Sequence, residues 1–157
     1  MPKIEVKTII FADIKTCFDL ARNIEIHQES LKHSQEKAIA GKISGLIELG
    51  EWVSWEATHF GFVQHLTSRI TEFESPNYFV DEMVYGVFKS FRHKHIFQPM
   101  GDGTLMIDEF NFKSPYGIIG KLADHLFLKR YMTSLLKIRG NYIKEKAESI
   151  MISKQAS

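Results

Sequence analysis

Six polar side chains in this sequence have types and spacings that could do chemistry: His59, Gln64, Glu82, His93, His95 and Asp108. Alternate residues of a strand share a face. In Phe91-Arg92-His93-Lys94-His95-Ile96-Phe97, that rule groups Phe91, His93, His95 and Phe97 against Arg92, Lys94 and Ile96. Along Thr104–Phe112 it groups Met106, Asp108, Phe110 and Phe112, and along Glu51–Phe60 it groups Val53, Trp55, Ala57 and His59. Phe62, Gln64, Leu66, Ser68 and Ile70 form the inner face of Phe62–Phe73. Both faces of Tyr78–Phe88 are mixed. We take Val80, Glu82, Val84, Gly86 and Phe88 as inward, in register with the histidine face. Glu82, His93 and Asp108 then form a polar pole among aromatic side chains.

Carboxylates and imidazoles are costly to bury unpaired. These groups must therefore pair with one another, with water or with a ligand. Three roles fit: a hydrogen-bonded cluster that fixes strand register, a pole that orients a ligand, or an acid–base pair that moves a proton. His93 and His95 could both reach one metal ion, but zinc needs further ligands and a supporting shell. No cysteine cluster or HExxH helix supplies them, so neither a metal nor another cofactor is expected. Cys17 lies among apolar positions and reads as a packed thiol. Gly101-Asp102-Gly103 is a turn; it lacks the GKS/T element of a phosphate loop.

The chain has 157 residues, a formal net charge of +1 and a single cysteine. That length fits one domain, here taken as 1–152 with a polar tail at 153–157. The charge balance gives no reason to expect nucleic acid or an anionic membrane as partner. One cysteine excludes an internal disulfide and fits a reducing cytoplasm. No apolar run approaches the ~20 residues of a membrane span, so stable membrane insertion is not expected. The N-terminus shows no signal-peptide apolar region. Oligomeric state is not readable.

The elements that must position the polar residues follow from pattern and punctuation. Lys3–Phe11 alternates as a strand. Asp13 is placed to cap a short helix, and a second helical turn covers Ile24–Ser30. A weak strand pattern spans Lys32–Ala40, and Ile43–Gly50 is turn-like. Five strands follow, separated by Gly61, Ser75-Pro76-Asn77, Lys89-Ser90 and Met100-Gly101-Asp102-Gly103. Links this short imply an antiparallel meander. A helix then runs from about Ile118 to about Ile152. Its apolar stripe is Ile119, Leu122, Ala123, Leu126, Phe127, Tyr131, Leu135, Ile138 and Tyr142. The tail after Ser149 is polar and expected to fray.

This element order, with Trp55-Glu56-Ala57-Thr58-His59-Phe60-Gly61, Leu66-Thr67-Ser68-Arg69-Ile70, Phe79-Val80-Asp81-Glu82 and Gly117-Ile118-Ile119-Gly120-Lys121-Leu122-Ala123-Asp124, resembles the Bet v 1-like, or START-like, superfamily. Within it the chain is similar to the SRPBCC group of polyketide cyclases/dehydrases and lipid-transport proteins. The resemblance implies an α+β helix-grip fold: a curved antiparallel sheet of about six or seven strands around a long C-terminal helix. It also implies a mainly apolar cavity between sheet and helix, used by different members for lipids, hormones, polyketides or quinones. The expected lining is Trp55, His59, Gln64, Glu82, Phe88, His93, Phe97, Asp108, Phe110, Phe127 and Tyr131. The expected function is binding of a small hydrophobic or amphipathic ligand. An aromatase/cyclase- or dehydratase-type enzyme is the alternative, and a stress or regulatory protein acting through protein partners is a further one. No nucleophile, base and orienting group can be matched as a catalytic set.

Overall fold

The strand alternation is realised as one seven-stranded antiparallel sheet in the order β1-β7-β6-β5-β4-β3-β2. The computed structural model describes residues 3–114 and 127–156. Its strands are β1 (Lys3–Ile10), β2 (Lys37–Gly41), β3 (Trp52–His59), β4 (Phe62–Glu74), β5 (Tyr78–Tyr85), β6 (Ser90–Met100) and β7 (Gly103–Lys113). Two short helices follow β1: α1 (Ile14–Ala21) and α2 (Ile24–Ser30). The long helix α3 covers Lys129–Ala156. This is the helix-grip arrangement.

Local chemistry explains most boundaries. Ile4, Val6, Thr8 and Ile10 are buried along β1 while Lys3, Glu5, Lys7 and Ile9 stay exposed. Asp13 caps α1 by accepting the Thr16 N–H at 3.0 Å, and Asn23 caps α2 by accepting the Ile26 N–H at 3.0 Å. β6 and β7 join through Gly101-Asp102, where Gly101 has a positive φ of 57° that favours glycine.

The core has two parts. One packs Phe18, Phe79, Phe97, Met106, Ile143 and Ala147 beneath α1 and α2. The other packs Val6, Phe91, Phe110, Phe112 and Leu136, with Leu66, Met83, Phe88, Leu128 and Met132 only partly covered around it. The helix bears on the sheet through Leu135, Leu136, Arg139, Gly140, Ile143 and Ala147. Gly140 brings its backbone against β1; a Cβ there would lie 2.8 Å from Thr8 Oγ1.

Several boundaries differ from the sequence reading. Lys32–Ser34 is a 3-10 turn, and β2 starts only at Lys37. β5 ends at Tyr85, because the chain then turns through Gly86 into β6. The helical stripe is offset from the expected one: Ile138 and Phe127 are exposed, and the buried positions include Arg139 and Ile143. Past Ser149 the helix continues to Ala156 instead of fraying. No Gly or Pro interrupts it after Gly140, and Lys144 pairs with Glu148 one turn on. The expected helix start near Ile118, with Ile119, Leu122, Ala123 and Leu126, lies outside the described residues.

Alanine is worth about 1 kcal/mol more than glycine in a helix interior. At position 140 the contact with Thr8 should reverse that preference. Gly140→Ala is expected to lower the melting temperature, and adding Thr8→Ala should restore part of it. A thermal melt of the two variants checks this; a stabilised Gly140→Ala would contradict the close approach.

Candidate functional site

Five charged or ionisable side chains meet between the two parts of the core. β6 presents His93 and His95, β7 presents Asp108, β5 presents Asp81 and α3 presents Arg139. Register makes this possible. Asp81 stands opposite His93, and His95 stands opposite Asp108. His93 Nε2 donates to Asp108 Oδ1 at 2.8 Å, and His95 Nε2 donates to Asp81 Oδ1 at 2.7 Å. Arg139 Nη1 donates to Asp108 Oδ1 at 3.5 Å, and its Nη2 donates to the Ala21 carbonyl at 2.7 Å. The imidazoles lie ring to ring at 3.7 Å. Phe79 stacks on His95 at 4.1 Å, and Phe110 meets His93 edge-on at 5.3 Å.

Burial sets the electrostatics. It opposes ionisation of Asp108, yet the bond from His93, the approach of His95 Nδ1 to 3.4 Å and the nearby Arg139 charge outweigh it. The carboxyl is held well below the usual carboxylate range. Asp81 is lowered for similar reasons: burial resists, while the His95 bond and the His93 charge prevail. His93 is pushed below its ordinary value by burial and by its neighbour His95, although Asp108 pulls the other way. Two carboxylates therefore face one guanidinium. Within the cluster, two buried atoms remain without a hydrogen-bond partner among the described residues: Asp108 Oδ2 and His95 Nδ1.

Asp81, His93 and His95 each place one ligand atom within 4.8 Å of the others, so the trio could close on a divalent ion. To do so it would have to give up the His95–Asp81 hydrogen bond. The site also already holds a cation, the Arg139 guanidinium. Hydrogen bonding within the cluster explains the same residues without a metal.

The other residues singled out from sequence are spread along the inner layer. His59 shares a 2.5 Å hydrogen bond through Nδ1 with the Tyr131 hydroxyl, which ties the end of β3 to α3. Burial lowers His59 and raises Tyr131. Trp55 is buried and stacks on His27 at 4.1 Å. Gln64 is half-buried opposite Ala57. Phe97 is fully buried against Phe18, at 5.4 Å. Phe88 lies in the link after β5, where it packs on Phe91, Phe110 and Phe112. Phe127 is exposed and rests on Phe60 at 5.2 Å. Cys17 is buried, and burial pushes its thiol up to about 11.

The inward face assigned to Tyr78–Phe88 is the wrong one. Glu82 stands opposite Arg92 on the outer face, 3.9 Å from its Nε, and is not part of the cluster. Paired residues in antiparallel strands share a face, so an inward His93 requires an inward Asp81. With both faces mixed, strand alternation alone could not choose between them. Arg139 was also missed. A cation three to four residues from Leu135, Leu136 and Ile143 was the available signal, because it places a charge inside the buried helical stripe.

No family model matches the chain, and no curated protein does. Solved structures do. TTHA0849 from Thermus thermophilus is 21% identical with a TM-score of 0.70, covering 90% of this chain and 97% of that one. The ginseng major latex-like protein 151 from Panax ginseng is 14% identical with a TM-score of 0.65, covering 93% and 97%. The di-domain ARO/CYC StfQ from the steffimycin biosynthetic pathway is 10% identical with a TM-score of 0.76, covering 95% of this chain and 51% of that one. These are likenesses of fold.

Two outcomes follow for the cluster. Removing one partner of a buried charge pair costs about 3–5 kcal/mol, against about 0–1 kcal/mol at the surface. Arg139→Met should therefore destabilise far more than Arg92→Met, whose guanidinium bonds Glu72 on the outer face. Urea unfolding of both variants reads the difference; equal losses would contradict it.

The second outcome concerns pH. Below about pH 6.5 the unfolded chain takes up a proton that folded His93 resists. Stability should fall as pH drops from about 7 to about 5. It should fall again below about pH 4, where unfolded carboxylates protonate before Asp81 and Asp108 do. Melts from neutral to acid pH should show both steps. His93→Gln should shrink the first, leaving the share contributed by His59; an unchanged slope would contradict the His93 assignment.

Proposed function

We propose that this protein binds one small apolar or amphipathic molecule between the inner face of the sheet and α3, with the molecule's polar end toward the Asp108 cluster. The observation that carries the reading is the contrast between the two parts of the core. The part under α1 and α2 is closed by fully buried side chains such as Phe18, Phe97 and Met106. The part beyond the charged cluster is bordered by Leu66, Met83, Phe88, Leu128 and Met132, all incompletely covered. An apolar guest would bury that border, gaining roughly 25 cal/mol per Å² before ordering costs. Apolar walls with a few convergent polar groups suit a small-molecule site.

The unpartnered atoms suggest the chemistry of the polar end. Asp108 Oδ2 is an acceptor, so a hydroxyl or N–H donor is its complement. Lipid-, polyketide- and quinol-like molecules all offer such a group on an apolar body. A cytoplasmic location is part of the proposal and rests on the single buried Cys17.

A second reading, favoured by the 2.8 Å His93–Asp108 pair, is cyclase- or dehydratase-like chemistry on a polyketide-like substrate. An imidazole oriented by a carboxylate can accept and return a proton. The fold likeness to an ARO/CYC protein is compatible with it.

Native mass spectrometry of the purified protein should reveal a co-purified small molecule, and an apolar dye should bind and be displaced by polycyclic or long-chain compounds. Met132→Trp, which fills the open part of the core, should weaken dye binding roughly tenfold with folding intact. His93→Gln should weaken a hydroxylated polycycle more than its unsubstituted parent. If no compound binds, or Met132→Trp binds dye as before, the binding reading fails. Equal losses for both polycycles would remove the cluster from the site.

A further inference from the structure

The end of the molecule at the β3–β4 turn combines protruding apolar side chains with a predominance of positive charge. Antiparallel alternation brings several segments to this end: the β3–β4 turn, the link from β5 to β6, the end of β7 and the first turns of α3. Phe62 stands opposite His59, and Ser90 opposite Lys113. The Lys89 N–H bonds the Lys113 carbonyl at 2.7 Å, and Phe60 touches both Phe127 and Tyr131. Phe60, Phe62, Val63, Tyr85, Val87 and Phe127 are all exposed here, Phe62 at 71% and Tyr85 at 70%. Phe60 and Gly61 both have positive φ, of 55° and 79°, so the tight turn holds its aromatic flanks outward.

Positive charge predominates among the described residues. Residues 58–67, 83–90, 111–114 and 127–134 contain Lys89, Lys113, Lys129 and Arg130 and no Asp or Glu. Two carboxylates also lie at this end, each in a pair: Glu36, whose charge reaches His59 and Tyr131, with His27 at 3.1 Å, and Glu56 with His65 at 3.0 Å and Lys37 at 3.5 Å. The opposite end differs. There Phe11 and Met100 are exposed beside Asp13, Asp102 and Glu148, and Lys144, over the Phe11 ring at 4.9 Å, is paired with Glu148. A near-neutral chain has thus gathered positive charge around its aromatic end.

We propose that this end docks on the surface of an anionic lipid bilayer. Exposed aromatic side chains insert shallowly at the headgroup level, and lysine and arginine around them are attracted by anionic headgroups. The charge pattern selects this occupant over a second copy of the chain, since a two-fold pairing would set like charges against each other. No helix among the described residues is long and apolar enough to cross a membrane, so the association is peripheral. It also places the lipid surface beside the open part of the core, between Phe127, just before α3, and Phe88 in the β5–β6 link. The docking does not depend on the ligand proposal, because vesicle binding and dye binding are read separately.

Vesicle co-sedimentation of the full chain tests it, with phosphatidylcholine alone and with phosphatidylcholine containing phosphatidylglycerol. Binding is expected only to the anionic vesicles and should weaken as salt rises. Phe62→Ser should cut partitioning roughly tenfold, and Lys89→Glu with Arg130→Glu at least as much. These positions are at the surface, so thermal melts should match the parent protein. Ile152→Ser, equally exposed but on the far part of α3, should leave binding unchanged. The proposal is overturned by an absence of binding to anionic vesicles, equal binding to neutral ones, or patch variants that bind like the parent. Self-association abolished by Phe62→Ser would also overturn it, assigning the face to a second copy.

Discussion

Asp108 carries a carboxylate with no exposed surface, and the surrounding elements must compensate that charge. An isolated buried carboxylate is not tolerated in a folded protein. Compensation comes from two directions. His93 and His95 come from the neighbouring strand and Arg139 from the long helix, while the second carboxylate, Asp81, bonds His95. Arg139 also bonds the last carbonyl of α1, so one guanidinium joins sheet, short helix and long helix. The position of α3 across the sheet is thus fixed by charge as well as by apolar contact. Gly140, the next residue, lets the helix come close enough for Arg139 to reach.

That network divides the interior. On one side aromatic rings fill the space under α1 and α2, with Phe18 meeting Phe73, Phe79 and Phe97 edge-on. On the other side the inner layer is bordered by half-covered side chains and then by the exposed aromatic end. Phe79, from the closed part, stacks on His95 at 4.1 Å and so braces the cluster. A site that orients a molecule needs that separation, since its polar groups must not depend on the guest for their own positions.

Much of this was legible in the sequence, and the exceptions have physical causes. Alternation identified β1, β3, β6 and β7 with their faces, and so put His93, His95 and Asp108 on the concave side. Asp13 marked the start of the first short helix. β5 failed because apolar and charged residues alternate on both of its faces, and bulges in its partner β4 shift the register at Thr67/Ser68 and Ile70/Glu72. Only pairing with β6 decides that Asp81 points in and Glu82 out. Arg139 escaped because the apolar stripe was traced through Ile138 and Tyr142, one position away from the buried line. The cationic end could not be seen from a net charge of +1, since it arises only when distant segments converge.

The central claim is that His93 is a buried, neutral imidazole bonded to Asp108 on the floor of a ligand space. Nitrogen-detected NMR of the histidine rings, recorded through a pH titration with and without a hydroxylated polycyclic ligand, tests it most directly. The account predicts that His93 takes up its proton below the ordinary histidine range and that its ring-nitrogen shifts move when the ligand binds. A His93 that titrates like a free imidazole and is indifferent to every ligand would contradict it.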